Sequence, residues 1–99
     1  MSRPSVHLAP MAGITDAAMR LISWRHGAER CSTEMVSSMG LANDSLRTFQ
    51  LLEKLPEEGP LVAHLYGGDV SSMAEAARLV TERGGFVAID INAGCPVQK

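Results

Sequence analysis

This sequence has little cysteine and no excess of positive charge. Its 99 residues include two cysteines, and the formal net charge at pH 7 is −2. Cys31 and Cys95 show neither a CxxC pattern nor metal-ligand spacing, which argues against a disulfide framework, so both are expected to be free thiols and no metal site is predicted. No overall basic field attracts nucleic acid, so any contact with RNA must be local or made by another part of the protein.

Long hydrophobic runs are also missing. A membrane-spanning helix needs about 20 apolar residues, and no stretch approaches that length. The N-terminal residues 1–4 lack the apolar core of a secretion signal, so a cytoplasmic location without membrane contact is predicted. The chain is 45% hydrophobic and 20% charged, which is typical of one small globular domain.

Apolar segments alternate with helical ones along the chain. Strands are predicted at 6–11, 28–36, 61–66 and 86–92, with a loop over 37–43. Three helices are predicted between them: the first over 17–26 with Thr15 or Asp16 as its N-cap, the second starting at Asp44 or Ser45 and ending before Pro56, and the third starting at Ser71 or Ser72 and ending at Gly84.

Burial can also be predicted from the pattern. The apolar stripe of the first helix consists of Ala18, Met19, Leu21, Ile22 and Trp24. Cys31 lies in the middle of a strand and is expected to fill the core. The charged run formed by Glu53, Lys54, Glu57 and Glu58 is expected to be solvated surface.

Strands that alternate with helices indicate parallel βαβ units. Four strands cannot close a (β/α)8 barrel, which needs eight strands and about 250 residues. The predicted fold is therefore α/β: the first four strands and three helices of a TIM barrel, present as a fragment. A compact open α/β domain, with its four strands in sequential or doubly wound order, is the alternative.

The last predicted strand leads directly to a thiol. Its apolar run, bounded by glycines, is typical of a strand buried on both faces of a parallel sheet. Gly94 permits a backbone conformation that a side chain would obstruct, and Pro96 fixes its own φ and biases Cys95 away from helix. The sulfur is therefore expected to be held in place at the end of the strand. The carboxyl-terminal ends of parallel strands are where such folds place their chemistry.

Five motifs together resemble one enzyme family. They are LAPMAGITD at 8–16, TEM at 33–35, HLYGGD at 64–69, MAEAARL at 73–79 and DINAGCP at 90–96. Their order and spacing resemble the tRNA-dihydrouridine synthases, flavin enzymes with an N-terminal TIM barrel that carries FMN and a C-terminal helical domain that helps to hold tRNA. The resemblance implies that residues 1–99 are the N-terminal half of the catalytic barrel, without its C-terminal half and without the helical domain.

The resemblance also implies roles for individual residues. Pro10, Met11 and Ala12 match the stretch that packs on the FMN ring. Cys95 matches the acid that protonates C5 of uracil while reduced flavin delivers hydride to C6, with NADPH as the reductant. A proton donor must keep its proton, so this cysteine is expected to be a thiol and not a thiolate. Asn92 and Glu34 match residues that line the uracil site.

His64 stands where the family usually has glutamine, whose side chain hydrogen-bonds the flavin. A histidine offers one donor and one acceptor but reaches less far. The family's Lys, His and Arg positions that bind flavin and its phosphate lie beyond residue 99, so the isolated chain is expected to be inactive. Two alternatives remain: a truncated, non-catalytic half-barrel, and another FMN oxidoreductase, resembling dihydroorotate dehydrogenases, that acts on a free pyrimidine.

Overall fold

The computed structural model describes residues 4–92 as an α/β fold. Its elements, in chain order, are β1 (His7–Leu8), α1 (Ala17–Arg25), β2 (Arg30–Ser32), β3 (Val36–Ser37), α2 (Ser38–Ala42), α3 (Leu46–Gln50), β4 (Leu61–Tyr66), α4 (Val70–Arg83) and β5 (Ala88–Ile91). The count differs from the predicted four strands and three helices because the second strand is interrupted and an extra short helix follows it. No helix in the described range is long and apolar enough to cross a membrane.

The strands form one parallel sheet around β4. β5 pairs with one edge of β4, while β2 and then β3 pair with successive parts of its other edge. β1 lies beyond β2. The sheet order therefore follows the chain order, which is compatible with part of a TIM barrel and not with a doubly wound domain.

The second strand contains a bulge. Cys31 pairs with Leu61, and Val36 pairs with Leu65. The chain therefore advances five residues on this strand while β4 advances four, which is the definition of one extra residue in a bulge. The continuous strand predicted for 28–36 is wrong for this reason.

Thr33 replaces the missing ladder contact at the bulge. Its backbone N–H donates to the carbonyl of Val62 over 2.9 Å. Its hydroxyl oxygen accepts the backbone N–H of His64 over 3.0 Å, where a regular strand would present a carbonyl. The buried backbone of β4 is thereby satisfied across the irregularity, as buried peptide groups require.

The apolar core lies between the sheet and the helices α2, α3 and α4. The predicted strand 61–66 is confirmed, and its first five residues are buried. Burying one leucine side chain contributes about 1.5–3 kcal/mol. The fully packed cluster consists of Val36, Leu41, Leu52, Ala63, Leu65, Ala76 and Val80.

Two of the three predicted helix starts are confirmed. The carboxylate of Asp16 accepts the N–H of Met19 over 2.9 Å, and Ser45 caps α3. For the third helix, the prediction of Ser71 or Ser72 is wrong. Asp69 is the N-cap, because its extended backbone places the carboxylate 2.8 Å from the N–H of Ser72.

The segment from 37 to 58 differs most from prediction. Positions 38–42, expected to be loop, form α2, which begins where Ser37 accepts the N–H of Gly40 over 3.1 Å. The following helix ends at Gln50 and not near Pro56. After Gln50 the N–H groups of Leu51, Leu52 and Glu53 bond to carbonyls three residues back, so the chain continues as tight turns and not as α-helix.

Burial in α1 and in the last strand differs from the prediction. The apolar stripe predicted for α1 omits Arg20, but the Arg20 side chain is only 1% exposed. Ile22, which belongs to the predicted stripe, is 53% exposed. The last strand is not buried on both faces, since Val87 and Ile91 are 54% and 56% exposed. β5 is an edge strand among the described residues, with β4 as its strand neighbour, and of its four residues only Ile89 packs against the core.

Candidate functional site

Loops from separate strands meet at the carboxyl-terminal edge of the sheet. They comprise the turn after β1, the bulge at 33–35, the glycine turn after β4 and the residue that follows β5. Parallel strands all end on one side, so their loops converge there, and in barrels this side carries the active site. Most residues that the sequence singled out lie on this edge.

The turn after β1 presents the predicted FMN face. The N–H groups of Ile14 and Thr15 both donate to the carbonyl of Met11 over 3.0 Å. The Thr15 hydroxyl oxygen accepts the N–H of Met11 over 3.1 Å, which closes the turn from inside. Met11 and Ala12 are exposed and Pro10 is half-buried, so the outer surface of the turn is accessible to a ligand.

Glu34 holds this turn against the bulge. Its carboxylate accepts the N–H of Gly13 over 2.5 Å. Gly13 adopts φ of 75°, a left-handed conformation that glycine takes without strain. The contact gives Glu34 a structural role in joining two loops, while its expected role beside uracil stays a prediction.

Asn92 is fixed at the end of β5. Its backbone N–H donates to the carbonyl of Leu65 over 2.8 Å. Its side-chain amide lies 3.3 Å from the sulfur of Met35, which belongs to the same bulge as Glu34. Of the two residues predicted to line the uracil site, Glu34 belongs to the bulge at 33–35 and Asn92 contacts it through Met35.

His64 is a buried polar side chain in the centre of β4. It is 8% exposed, and neither ring nitrogen has a hydrogen-bond partner within residues 4–92. It lies on the face opposite to Ala63 and Leu65, because side chains alternate along a strand, and thus points away from the helix-covered core. An imidazole without a partner in such a place has unused capacity to bind a polar ligand.

A second buried polar group lies behind the turn. Nε and Nη2 of Arg20 donate to the two carboxylate oxygens of Glu58 over 2.6 and 3.1 Å. Nη1 donates to the carbonyl of Thr15, and Nη2 also reaches the carbonyl of Glu53, each over 2.9 Å. The guanidinium thus joins α1, the turn after β1 and the loop before β4.

Glu58 is itself tightly held. One carboxylate oxygen accepts the N–H of Leu55 over 2.8 Å, and the other lies 3.4 Å from the indole nitrogen of Trp24. Burial alone would raise the pKa of the Glu58 carboxyl, but the hydrogen bonds and the charge of Arg20 outweigh it and lower this pKa. The carboxylate is therefore charged at neutral pH.

Sequence reasoning missed this pair. Glu58 was expected at the surface, and its prediction as solvated is wrong. The available signal was an arginine flanked by apolar residues of α1, since a charge that is buried there requires a partner. Cys31 was correctly predicted as core: it is fully buried, and burial raises the pKa of its thiol.

Cys95, with the flanking Gly94 and Pro96, lies outside the described residues, so its role stays a prediction. Within residues 4–92, no group of three or more His, Cys, Asp or Glu side chains is arranged to hold a metal ion.

Comparison with known proteins gives consistent matches. Residues 7–99 match the family model described as "Dihydrouridine synthase (Dus)". The chain is 42% identical over 97 residues to the "Probable tRNA-dihydrouridine synthase" of Rhizobium leguminosarum bv. phaseoli, a match that covers 98% of this chain and 30% of that protein. It is 38% identical over 91 residues to "tRNA-dihydrouridine synthase B" of Escherichia coli K12, covering 92% of this chain and 28% of that protein. The chain therefore spans less than a third of the length of these relatives.

Proposed function

Because the chain belongs to the dihydrouridine synthase family, we propose that the complete protein reduces a uridine of tRNA to 5,6-dihydrouridine, with FMN as cofactor and NADPH as reductant. The observation that carries this proposal is the family match over residues 7–99. Residues 1–99 would form the N-terminal part of an FMN-binding TIM barrel, and the protein would act on tRNA in the cytoplasm. Enzymes that modify a base inside folded RNA must first turn it out of its stack.

The residues at the carboxyl-terminal edge fit a flavin. A flat ring needs a surface without long branched side chains, and the exposed turn offers Pro10, Met11 and Ala12. The polar edge of a flavin carries both donors and acceptors, which would satisfy the ring nitrogens of His64. These four residues would hold the cofactor.

Bound FMN would supply the hydride equivalent that uracil receives at C6. Cys95 would donate the proton that C5 receives, which requires a thiol at neutral pH. The side-chain amide of Asn92 can both donate to and accept from the edge of a base. Glu34 would line the same side while it holds the turn at Gly13.

The two cysteines provide a matched test of the acid. The complete protein is returned to cells that lack the gene, and dihydrouridine in their tRNA is measured by mass spectrometry. Cys95→Ala is expected to lower dihydrouridine formation by about 10²-fold or more, as for loss of a general acid, while the purified variant retains FMN. Cys31→Ala serves as the control and is expected to retain activity. Unchanged dihydrouridine in the Cys95→Ala strain would contradict the assigned role.

The rival interpretations have their own tests. An intact mass of about 30 kDa or more is needed for a complete barrel, and a mass near 10.6 kDa would favour a truncated half-barrel. Reduction of a free pyrimidine by the purified protein, with no reduction of uridine in tRNA, would favour the other FMN oxidoreductase.

A further inference from the structure

We propose that the buried Arg20–Glu58 pair is a positioning device, which sets the conformation of the Met11–Thr15 turn so that its outer face can bind FMN. The inference rests on the proposed function, because it takes this turn to be a flavin contact. It assigns a role to two residues that lie beneath the site and would not touch the cofactor.

The first step is the short path from Arg20 to the turn. Nη1 of Arg20 donates to the carbonyl of Thr15 over 2.9 Å. Thr15 in turn binds Met11 three times. Its N–H donates to the Met11 carbonyl over 3.0 Å, its hydroxyl oxygen accepts the Met11 N–H over 3.1 Å, and its hydroxyl also donates to the Met11 carbonyl over 3.3 Å. One residue therefore separates the guanidinium from the surface that would face the flavin.

The second step is the fixed direction of the guanidinium. A planar guanidinium bound by both oxygens of one carboxylate has its remaining N–H groups aimed in set directions. Glu58 provides that carboxylate, and the N–H of Leu55 fixes its position in turn. With the fork held this way, the N–H that reaches Thr15 cannot rotate freely.

Stability alone does not require an ion pair at this buried position. A buried ion pair is costly to desolvate, and apolar side chains of similar size can replace it with little loss of stability. Apolar side chains could not, however, donate to the Thr15 carbonyl. Glu34 holds the same turn at Gly13, so the turn is fixed at two of its residues by side chains from elsewhere in the chain, while Met11 stays exposed.

The experiment uses the complete protein with the double substitution Arg20→Met and Glu58→Leu, which keeps apolar bulk and removes the directional bond. The variant is expected to fold, with FMN affinity about tenfold weaker, as for the loss of one charged hydrogen bond. Amide exchange of Ile14 and Thr15 in the apoprotein is expected to be at least about tenfold faster. Excess FMN should restore the rate of dihydrouridine formation, because the chemistry itself is untouched.

A surface pair of the same chemistry is the matched control. Arg78 lies between Glu75 and Glu82 on the exposed side of α4, and the double substitution Arg78→Met and Glu75→Leu is expected to change neither FMN affinity nor exchange in the turn. Equal FMN affinity in the wild type and the buried-pair variant would overturn this inference alone. Failure of the wild-type protein to bind FMN would overturn the proposed function together with it.

A single substitution covers the case in which the double variant does not fold. Arg20→Lys keeps the charge opposite Glu58 but loses the fork that also reaches Thr15. FMN binding and amide exchange are then measured on this variant against the wild type. Weaker binding with faster exchange at Ile14 supports the inference, and wild-type values for both overturn it.

Discussion

Replacing His64 by leucine is expected to stabilise the apoprotein and to weaken FMN binding. The ring is 8% exposed, and its two nitrogens have no partner in the described part of the chain. Leucine fills a similar volume without a polar atom. The substitution therefore removes an unsatisfied buried group from the free protein and a hydrogen-bonding group from the complex.

The magnitudes of the change in stability and of the change in FMN affinity can be estimated. A buried polar group without a partner costs about 1–3 kcal/mol, so the apoprotein should gain about that much unfolding free energy. With a urea m-value of about 1–3 kcal/mol/M, the unfolding midpoint should rise by roughly 1 M. Loss of one net hydrogen bond of about 0.5–1.5 kcal/mol should weaken FMN binding about 2- to 13-fold.

The assay compares urea unfolding of the apoprotein with FMN titration of the same samples. His7→Leu is the control, because His7 is exposed and bonded to the Ser5 hydroxyl over 2.9 Å, and it should change stability by less than about 0.5 kcal/mol. His64→Gln should keep FMN binding close to wild type. A less stable His64→Leu apoprotein would mean that the ring has a structural partner, and unchanged FMN affinity would refute the flavin contact.

Three further predictions follow from buried groups. The lowered pKa of Glu58 means that its carboxylate stabilises the fold above the ordinary value of 4.5, and that this contribution is lost as the pH falls through the still lower folded value. Acid unfolding monitored by circular dichroism should therefore be steeper in wild type than in Glu58→Gln, and equal slopes would contradict the assignment. Burial raises the pKa of Cys31, so in a Cys95→Ser variant a thiol reagent at pH 8 should label the protein only in urea; rapid labelling of the native protein would show that this thiol is accessible. Leu65 is fully buried in the core, and Leu65→Ala should cost about 2–5 kcal/mol in urea unfolding, whereas a loss below about 1 kcal/mol would mean that the site can collapse.

Local signals explain why much of the fold could be predicted. The strand Leu61–Tyr66 was predicted with its observed bounds, because an apolar run between a proline and two glycines is visible within a few residues. The start of α1 was also predicted correctly, because its N-cap Asp16 precedes an apolar stripe. The parallel sheet followed from the alternation of such segments.

Contacts between residues far apart in the sequence explain why some burial and site predictions were wrong. Arg20 and Glu58 are 38 positions apart, and each charge considered alone indicates a solvated side chain. Only the fold shows that they meet, and that they also bind the backbone of Glu53 and Leu55 in the loop after α3. The resemblance identified Glu34 as a site residue. Its bond to Gly13 depends on the bulge, however, and nothing in the local sequence predicts that bulge.

The bulge between Cys31 and Val36 makes the number of residues in this segment structurally important. Cys31 and Val36 are an odd number of positions apart, yet both are buried on the same side as Leu61 and Leu65, their partners in β4. Deleting one residue between them would leave four positions opposite four of β4, so Val36 would keep its pairing with Leu65, but the bulge that places Thr33 and Glu34 would be lost. Substitutions there alter single contacts, whereas a deletion would move Thr33 away from the N–H of His64 and Glu34 away from the N–H of Gly13 at the same time. We therefore expect related proteins to vary in the residues of this segment but not in their number.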